Sequence, residues 1–286
     1  MNLLSQAAEI PELSKLASTD LPPSKSSTSS LLGKIGPLEA RLATSLEEIE
    51  AAQALRYQVF SEEMGAHLSQ KAILSKRDFD PYDEYCDHLL VIDTSLMGSP
   101  LHQIVGTYRL LRQDQAEKHD GFYSQNEYDV SALIERHQGK SFLELGRSCV
   151  LPQYRTRRSI ELLWQGIWTY AQKNHIDVMF GCASFSGTIP AAHAQAMSFL
   201  HHFSKADNDW NVQALPNLGR QLDLMPVEAV SASQALLSMP PLIKGYLRLG
   251  AMVSSEAVVD QSFNTTDILI ILPVSKINMR YISYYA

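Results

Sequence analysis

The order of apolar patterns along this chain predicts an α/β fold: one mixed sheet, α+β in the arrangement of its elements, with helices laid on it. Residues 142 to 151 form an apolar run of strand length, closed by Pro152, which cannot donate to a ladder. From Ser159, Ile160, Leu163, Trp164, Ile167, Trp168 and Ala171 recur at helical spacing and make one buried face. Late in the chain AVVD and then TDILIILPV (266 to 274) read as terminal strands.

The remaining elements follow in order. Residues 1 to 36 contain LPPSKSSTSS, a stretch with little to bury; they read as a flexible tail with a short amphipathic helix near Leu3 to Leu16. The fold is expected to start at Pro37 and to form a single domain over 37 to 286. LEARLAT (38 to 44) alternates as a strand, and Ser45 caps a helix with Glu48 at the capping-box position. That helix turns Leu46, Ile49, Ala52, Leu55 or Arg56, Val59 and Phe60 inward. Residues 65 to 87 read as a long loop ending in DFDPYDEYCDH. HLLVID (88 to 93) and QIVGTYRLLR (103 to 112) are strands, and the two-residue period sets Val105, Thr107, Arg109 and Leu111 on one face. The stretch up to Gly139 is polar and irregular, with a short helix after Asp129 and nothing chemical beyond a segment fit for a lid. DVMFGCASF is a buried strand, Ala191 to Phe203 a helix, Ser231 to Ser238 another, and PPLIKGYLRLGA a third begun by proline.

Composition narrows the function classes. With 286 residues, 45% of them hydrophobic, the chain buries a sizeable core. A net charge of -7 and a pI near 5.7 argue against a nucleic-acid binder, so a cluster of arginines stands out as a local feature suited to one anion. Cys86, Cys149 and Cys182 have no metal-ligand spacing and one is left over in any disulfide scheme; reduced thiols and a cytoplasmic setting are expected, with no metal site. His193, His201 and His202 lack zincin spacing. No signal-peptide pattern and no span-length apolar run are present, which leaves room only for a peripheral contact at the inner membrane.

The chemistry concentrates in FLELGRSCVLPQYRTRRSIELLW. Arg155, Arg157 and Arg158 fall where the unpaired N–H groups of a helix's first turn already attract an anion, which makes a phosphate seat. The element order and this turn resemble the GNAT acyltransferase superfamily, whose loop after the fourth strand reads Q-x-x-G-x-G or G-x-A and holds coenzyme A phosphates. Gln153 matches, whereas Thr156 and Arg158 occupy the glycine positions. Fewer glycines mean less close backbone approach, and added guanidinium groups suit one phosphate flanked by a protein surface. A phosphopantetheine arm on an acidic acyl carrier protein meets that description.

Taken together, LRYQVFSEEMG with Arg56 and Phe60, FDPYDEYCDHLLVID, IVGTYRLL with Arg109, the arginine stretch, FGCASF and KGYLRLGA resemble the ornithine N-acyltransferases, once labelled hemolysin-like. Arg56, Phe60, Arg109, Glu144 and Arg147 also resemble positions of the acyl-homoserine-lactone synthases. The resemblance implies a GNAT-like fold with a splayed central strand and helices on both faces. It implies transfer of a 3-hydroxyacyl group from acyl carrier protein to the α-amino group of L-ornithine, giving lyso-ornithine lipid. The donor's 4'-phosphopantetheine is then a co-substrate, and no cofactor is permanently bound. An acyl-CoA-dependent enzyme acting on another amine, or a noncatalytic acyl-chain or membrane binder, are the alternatives.

Attack by an amine on a thioester needs a neutral amine, a seat for the oxyanion and a route for protons. Glu144, inside an apolar strand, is the candidate base, with Arg147 beside it as a catalytic partner. The two point to opposite faces of an ideal strand, so a bulge near Gly146 is required, which would also free an N–H for the oxyanion. Arg56 or Arg109 could take the ornithine carboxylate and Asp80, Asp83 or Asp87 its side-chain ammonium, with Phe60 at the same site. Gln153, Arg155, Thr156, Arg157 and Arg158 are the candidates for the phosphopantetheine and its carrier. Cys149 could in principle accept the acyl group, but its local sequence offers no partner base.

Overall fold

The computed structural model describes residues 31–277. The expected tail over 1–30 lies outside the described residues, but its last part does not: β1 (Gly33–Ile35) turns through Gly36, at φ 60°, and pairs with β2 (Leu38–Leu42). Leu32 beside it is 3% exposed in the core. The fold thus starts before Pro37, on a strand of GKI too short to show an alternation.

Helix α1 (Leu46–Tyr57) is capped as expected, Ser45 accepting from the Glu48 amide, while the Glu48 carboxylate turns back to the Thr44 amide at 2.8 Å and to Arg41. Leu46, expected inward, is 67% exposed as the first helical residue. The helix runs into a wider turn, Gln58–Glu63, closed by Met64 N–H to the Val59 carbonyl, and this carries Phe60 and Glu63 to the site. The expected loop over 65 to 87 contains α2 (Gln70–Ser75) and a proline-led turn, Pro81–Glu84. β3 (Asp87–Asp93) and β4 (Ile104–Arg112) form a hairpin in which Val91 faces Gly106 and Ile92 faces Ile104. The extra residue, Val105, is a bulge that sends its side chain to the opposite face from Leu111, so the four-residue face expected for this strand is broken.

After α3 (Gln113–Ala116) and the turn Tyr123–Asn126 comes α4 (Val130–Arg136), capped by Asp129. β5 (Phe142–Val150) and α5 (Arg157–Lys173, capped by Thr156) bound the arginine loop. β6 (Val178–Ser186), α6 (Ala194–Ser204), β7 (Gly219–Gln221), α7 (Ala232–Ser238), α8 (Pro241–Leu249), β8 (Met252–Asp260) and β9 (Thr265–Pro273) complete the chain.

These strands make one mixed sheet in the order β1-β2-β3-β4-β5-β6-β9-β8-β7, parallel only between β5 and β6. One face packs under α5, α6 and α8 through Leu89, Leu145, Trp164, Ile167, Leu200, Ile243 and Ile270. The other face is covered by α1, through Ala52 and Leu55 against Leu90 and Ile92, and by α4, through Leu133 beside Phe142 and Phe180. Helices therefore lie on both faces, and β9, apolar along most of its length, is buried throughout. Within α5, Gly166 lets the helix settle on β2 and β3: a Cβ there would meet Ala40 at 3.1 Å and Leu89 at 3.2 Å.

β5 and β6 pair only over Phe142–Val178, Leu143–Met179 and Glu144–Phe180, and then diverge. At the parting, the Leu145 carbonyl turns onto Gly181, where a Cβ would lie 2.1 Å from the oxygen. On its other edge β5 is bulged. Gly146 faces Arg109 and Cys149 faces Thr107, leaving Arg147 and Ser148 against Tyr108 alone. Arg147 takes φ 51°, the left-handed conformation that a bulged residue with a Cβ enters only at a cost.

Candidate active site

The splay opens a cavity of about 1170 Å³. Its floor is the bulge, Glu144 to Val150; its sides are Cys182 to Ser184, Tyr123, Phe60, Phe263 and α8, and its mouth is Arg155 to Arg157 at the start of α5. The bulge that the joint use of Glu144 and Arg147 demands is present, and both residues line the cavity.

Glu144 is buried, and its carboxylate is tied to the turn above it. Oε2 accepts from the Tyr123 amide at 2.7 Å, and Oε1 accepts from the Ser124 amide at 2.7 Å and the Ser124 hydroxyl at 2.5 Å. Burial raises its pKa, and these hydrogen bonds hold the rise back. A carboxylate has about four acceptor sites, so Oε2 keeps a lone pair for a proton. Arg147 lies between two rings, 4.6 Å from Tyr123 and 4.5 Å from Phe263, and donates to Asp80 at 3.1 Å. Tyr123, Asp78 and Asp80 outweigh the effect of burial and keep it charged.

The acidic loop proves to be the arginines' counter-charge. Arg56, fully buried, donates to Asp78 at 2.9 Å and Asp83 at 2.8 Å; Arg109 donates to Asp80 at 2.6 Å and reaches Asp83 at 3.4 Å. Three guanidinium groups and three carboxylates thus form one linked network, Arg56, Arg109 and Arg147 with Asp78, Asp80 and Asp83. Burial would raise Asp83, but Arg56 and Arg109 overcome it and hold its pKa down to about 2. Asp87 accepts from the Tyr170 hydroxyl at 2.6 Å and lies 3.5 Å from Arg112.

Of the residues expected to touch substrate, Phe60 and Arg109 line the cavity, whereas Arg56, Asp80, Asp83 and Asp87 do not. Arg56 and Asp83 are buried against one another, Asp80 pairs with Arg109 and Arg147, and Asp87 is engaged by Tyr170 and Arg112, so these four side chains are turned to other partners rather than to the cavity.

At the mouth, Arg155, Thr156 and Arg157 line the cavity; Gln153 and Arg158 stand outside it, both exposed. Arg155 makes a two-pronged pair with Glu63, at 2.5 and 2.6 Å, and Arg157 pairs with Glu161 at 2.6 Å. Arg158 makes no ion pair among the described residues. Arg155 is thus a brace between loop and wide turn, while Arg158, at the first turn of α5, is exposed. Cys149 is buried against the floor, and burial drives its thiol pKa strongly up. A neutral thiol is a poor acyl acceptor.

A third group of acids has no signature in the sequence. Asp260 and Asp267 line the cavity beside Phe263, and Glu127 stands next to them. They come from three distant segments, each carrying a single unremarkable acid.

Residues 55–165 match the acetyltransferase (GNAT) domain family. The chain is 60% identical to the L-ornithine N(alpha)-acyltransferase of Agrobacterium fabrum over 89% of its own length and 87% of that protein. It is 57% identical to that of Brucella abortus, over 89% and 91%, and 38% identical to that of Rhodobacter capsulatus, over 86% and 94%. Among solved structures it is similar to FeeM, an N-acyl amino acid synthase from uncultured soil microbes, at 13% identity and a TM-score of 0.47 over 83% of this chain and 91% of that one. A splayed β5–β6 pair, a cavity running from an arginine mouth to a bulged floor, and relatives this similar over nearly the whole length agree: the chain is a GNAT-fold N-acyltransferase and belongs to the L-ornithine N(alpha)-acyltransferase family.

Proposed function

We propose that the chain transfers a 3-hydroxyacyl group from acyl carrier protein to the α-amino group of L-ornithine, giving lyso-ornithine lipid by direct attack of the amine on the thioester. The observation that carries this is the bulged floor of the splay, which brings Glu144 and the two ladder-free residues Arg147 and Ser148 to one cavity open at a cationic mouth. The phosphopantetheine phosphate sits at the first turn of α5 with Arg157 and Arg158, and the carrier's acidic surface meets Arg155 and Arg158. The arm runs down the gap between β5 and β6, where backbone groups left unpaired by the divergence can bond its amides. The thioester oxygen meets an N–H of the bulge, at Arg147 or Ser148. Glu144 Oε2 takes the proton from the attacking amine, the carbon–sulfur bond breaks as the tetrahedral intermediate collapses to the amide, and that proton passes to the departing thiolate, which leaves as the free phosphopantetheine thiol. Arg147, or Arg109 beyond it, receives the amino-acid carboxylate.

Relatives named for ornithine acylation support the acceptor; the arginine mouth, with its glycine positions filled, supports a carrier-protein donor over acyl-CoA. The test supplies 3-hydroxyacyl carrier protein and 3-hydroxyacyl-CoA in parallel to the purified chain with L-ornithine. Product from the carrier protein at much the higher kcat/KM supports the reading. Equal or better use of the CoA ester refutes the donor assignment, and no acylation of ornithine from either refutes the acceptor.

A further inference from the structure

Glu127 follows the turn that Glu144 holds, Asp260 ends β8, and Asp267 lies on β9 opposite Ser184 of β6. Their carboxylate oxygens come within 4.8 Å of one another at the cavity wall. No basic side chain of the described residues makes an ion pair with any of them. Glu127 accepts only from the Cys182 thiol, at 3.4 Å, and Asp260 Oδ1 accepts from the Ser262 and Phe263 amides at 2.7 and 3.0 Å. Asp267 is 7% exposed, yet its Oδ1 is buried without a well-formed hydrogen bond, and so is the hydroxyl of Thr265 beside it. Elsewhere the buried Asp78 and Asp83 are paired with arginines, and the buried Glu144 is satisfied by two amides and a hydroxyl. A carboxylate trio left unmatched at the wall of a substrate cavity, with an acceptor atom still unused, is built for a cation brought from outside.

We propose that Glu127, Asp260 and Asp267 form the seat for the side-chain ammonium of a diamino-acid acceptor, and that this seat decides which of its two amines is acylated. The inference rests on the acceptor reading above and deepens it. An ammonium has three N–H donors, one for each carboxylate. An amine held there is kept protonated by its neighbours and so cannot attack, whereas the α-amine is left free to give its proton to Glu144. Arg147, close enough to be felt by both Glu127 and Asp267, then holds the acceptor carboxylate between the two amines. Burial first and the adjoining acids second raise Glu127 to about 7, while Asp267, also raised mainly by burial, stands at about 6.

The test compares L-ornithine with L-norvaline, the same skeleton without the second amine, on wild type, Glu127→Gln, Asp267→Asn and Asp260→Asn. Acyl transfer from 3-hydroxyacyl carrier protein and calorimetric binding without donor are both measured. Wild type should prefer ornithine by about 30-fold or more, as expected for one buried charge pair. The variants should lose most of that preference through KM, and part of their ornithine product should carry the acyl group on the side-chain amine. Unchanged preference and unchanged position of acylation in folded variants would overturn the seat. So would tight binding of Mg²⁺ or Ca²⁺ that the variants abolish together with ornithine binding, since the trio would then be a metal site. If wild type acylates neither amino acid, the acceptor reading fails, and calorimetry decides the seat alone: selective ornithine binding lost in the variants keeps it, equal binding of both ligands removes it. Should one variant not fold, Asp260→Asn, at the less buried corner, carries the comparison.

Discussion

At the scale of single residues, the site is governed by which charges are spent and which are free. Asp83 is spent. Its pKa is depressed, so its contribution to stability is present above its unfolded value near 3.8 and is lost as pH falls through about 2. Asp83→Asn should therefore cost about 3 kcal/mol or more at neutral pH by breaking the buried Arg56–Asp83 pair and leaving Arg56 only Asp78, and should flatten acid unfolding in this window; denaturant titration from pH 2 to 7 measures both. Glu127 is the opposite case. Its pKa is raised, so its favourable contribution is full below about 4.5 and is lost as pH rises through about 7. The ligand-free Glu127→Gln protein should then melt higher than wild type at pH 8 and gain nothing at pH 4, while being the poorer enzyme; a lower melting point at pH 8 would contradict this. Glu144→Gln should lower kcat by about 100-fold or more, the range of a lost general base, while KM for ornithine changes little. Cys149→Ala should keep most activity, and a trapped acyl-enzyme in wild type would overturn direct attack.

At the scale of elements, the two edges of β5 do different work. Against β6 it diverges at Gly181, and a Cβ there would strike the Leu145 carbonyl. Gly181→Ala should cost several kcal/mol or force the strands apart, visible as a lower melting point and a changed KM for the donor, whereas Gly146→Ala, with open space around it, should not. The first turn of α5 is expected to read the carrier. Arg158→Glu should raise KM for acyl carrier protein, more at low salt than at high; Arg155→Glu should do the same and also lose the Glu63 brace. A salt-independent KM in both would sink the carrier-protein docking.

Across the whole molecule, what the sequence disclosed follows from how far each signal extends. Ser45, Asp129, Pro152 and Thr156 mark helix boundaries locally, and the apolar runs of β5, β6 and β9 are long enough to read. The bulge at Gly146 was deducible because two residues of opposite parity had to share a site. Bulges defeat the two-residue period where no such demand exists, as at Val105 and in β8, whose register slips between Val253 and Ala257. Charge is worse still: DFDPYDEYCDH looks like a cation site, and only the fold shows that its acids neutralise Arg56, Arg109 and Arg147. The acids that are left over, Glu127, Asp260 and Asp267, are brought together by the sheet alone. No helix among the described residues is long and apolar enough to cross a membrane.

The central claim is that this cavity makes an acylated ornithine with Glu144 in the chemistry. The most direct measurement is mass spectrometry of lipids extracted from cells expressing the chain, wild type beside Glu144→Gln. Lyso-ornithine lipid carrying a 3-hydroxyacyl group on the α-nitrogen, present with wild type and largely absent with a folded Glu144→Gln, is the predicted result. Absence of any acylated ornithine with wild type, or equal amounts with both, would contradict it.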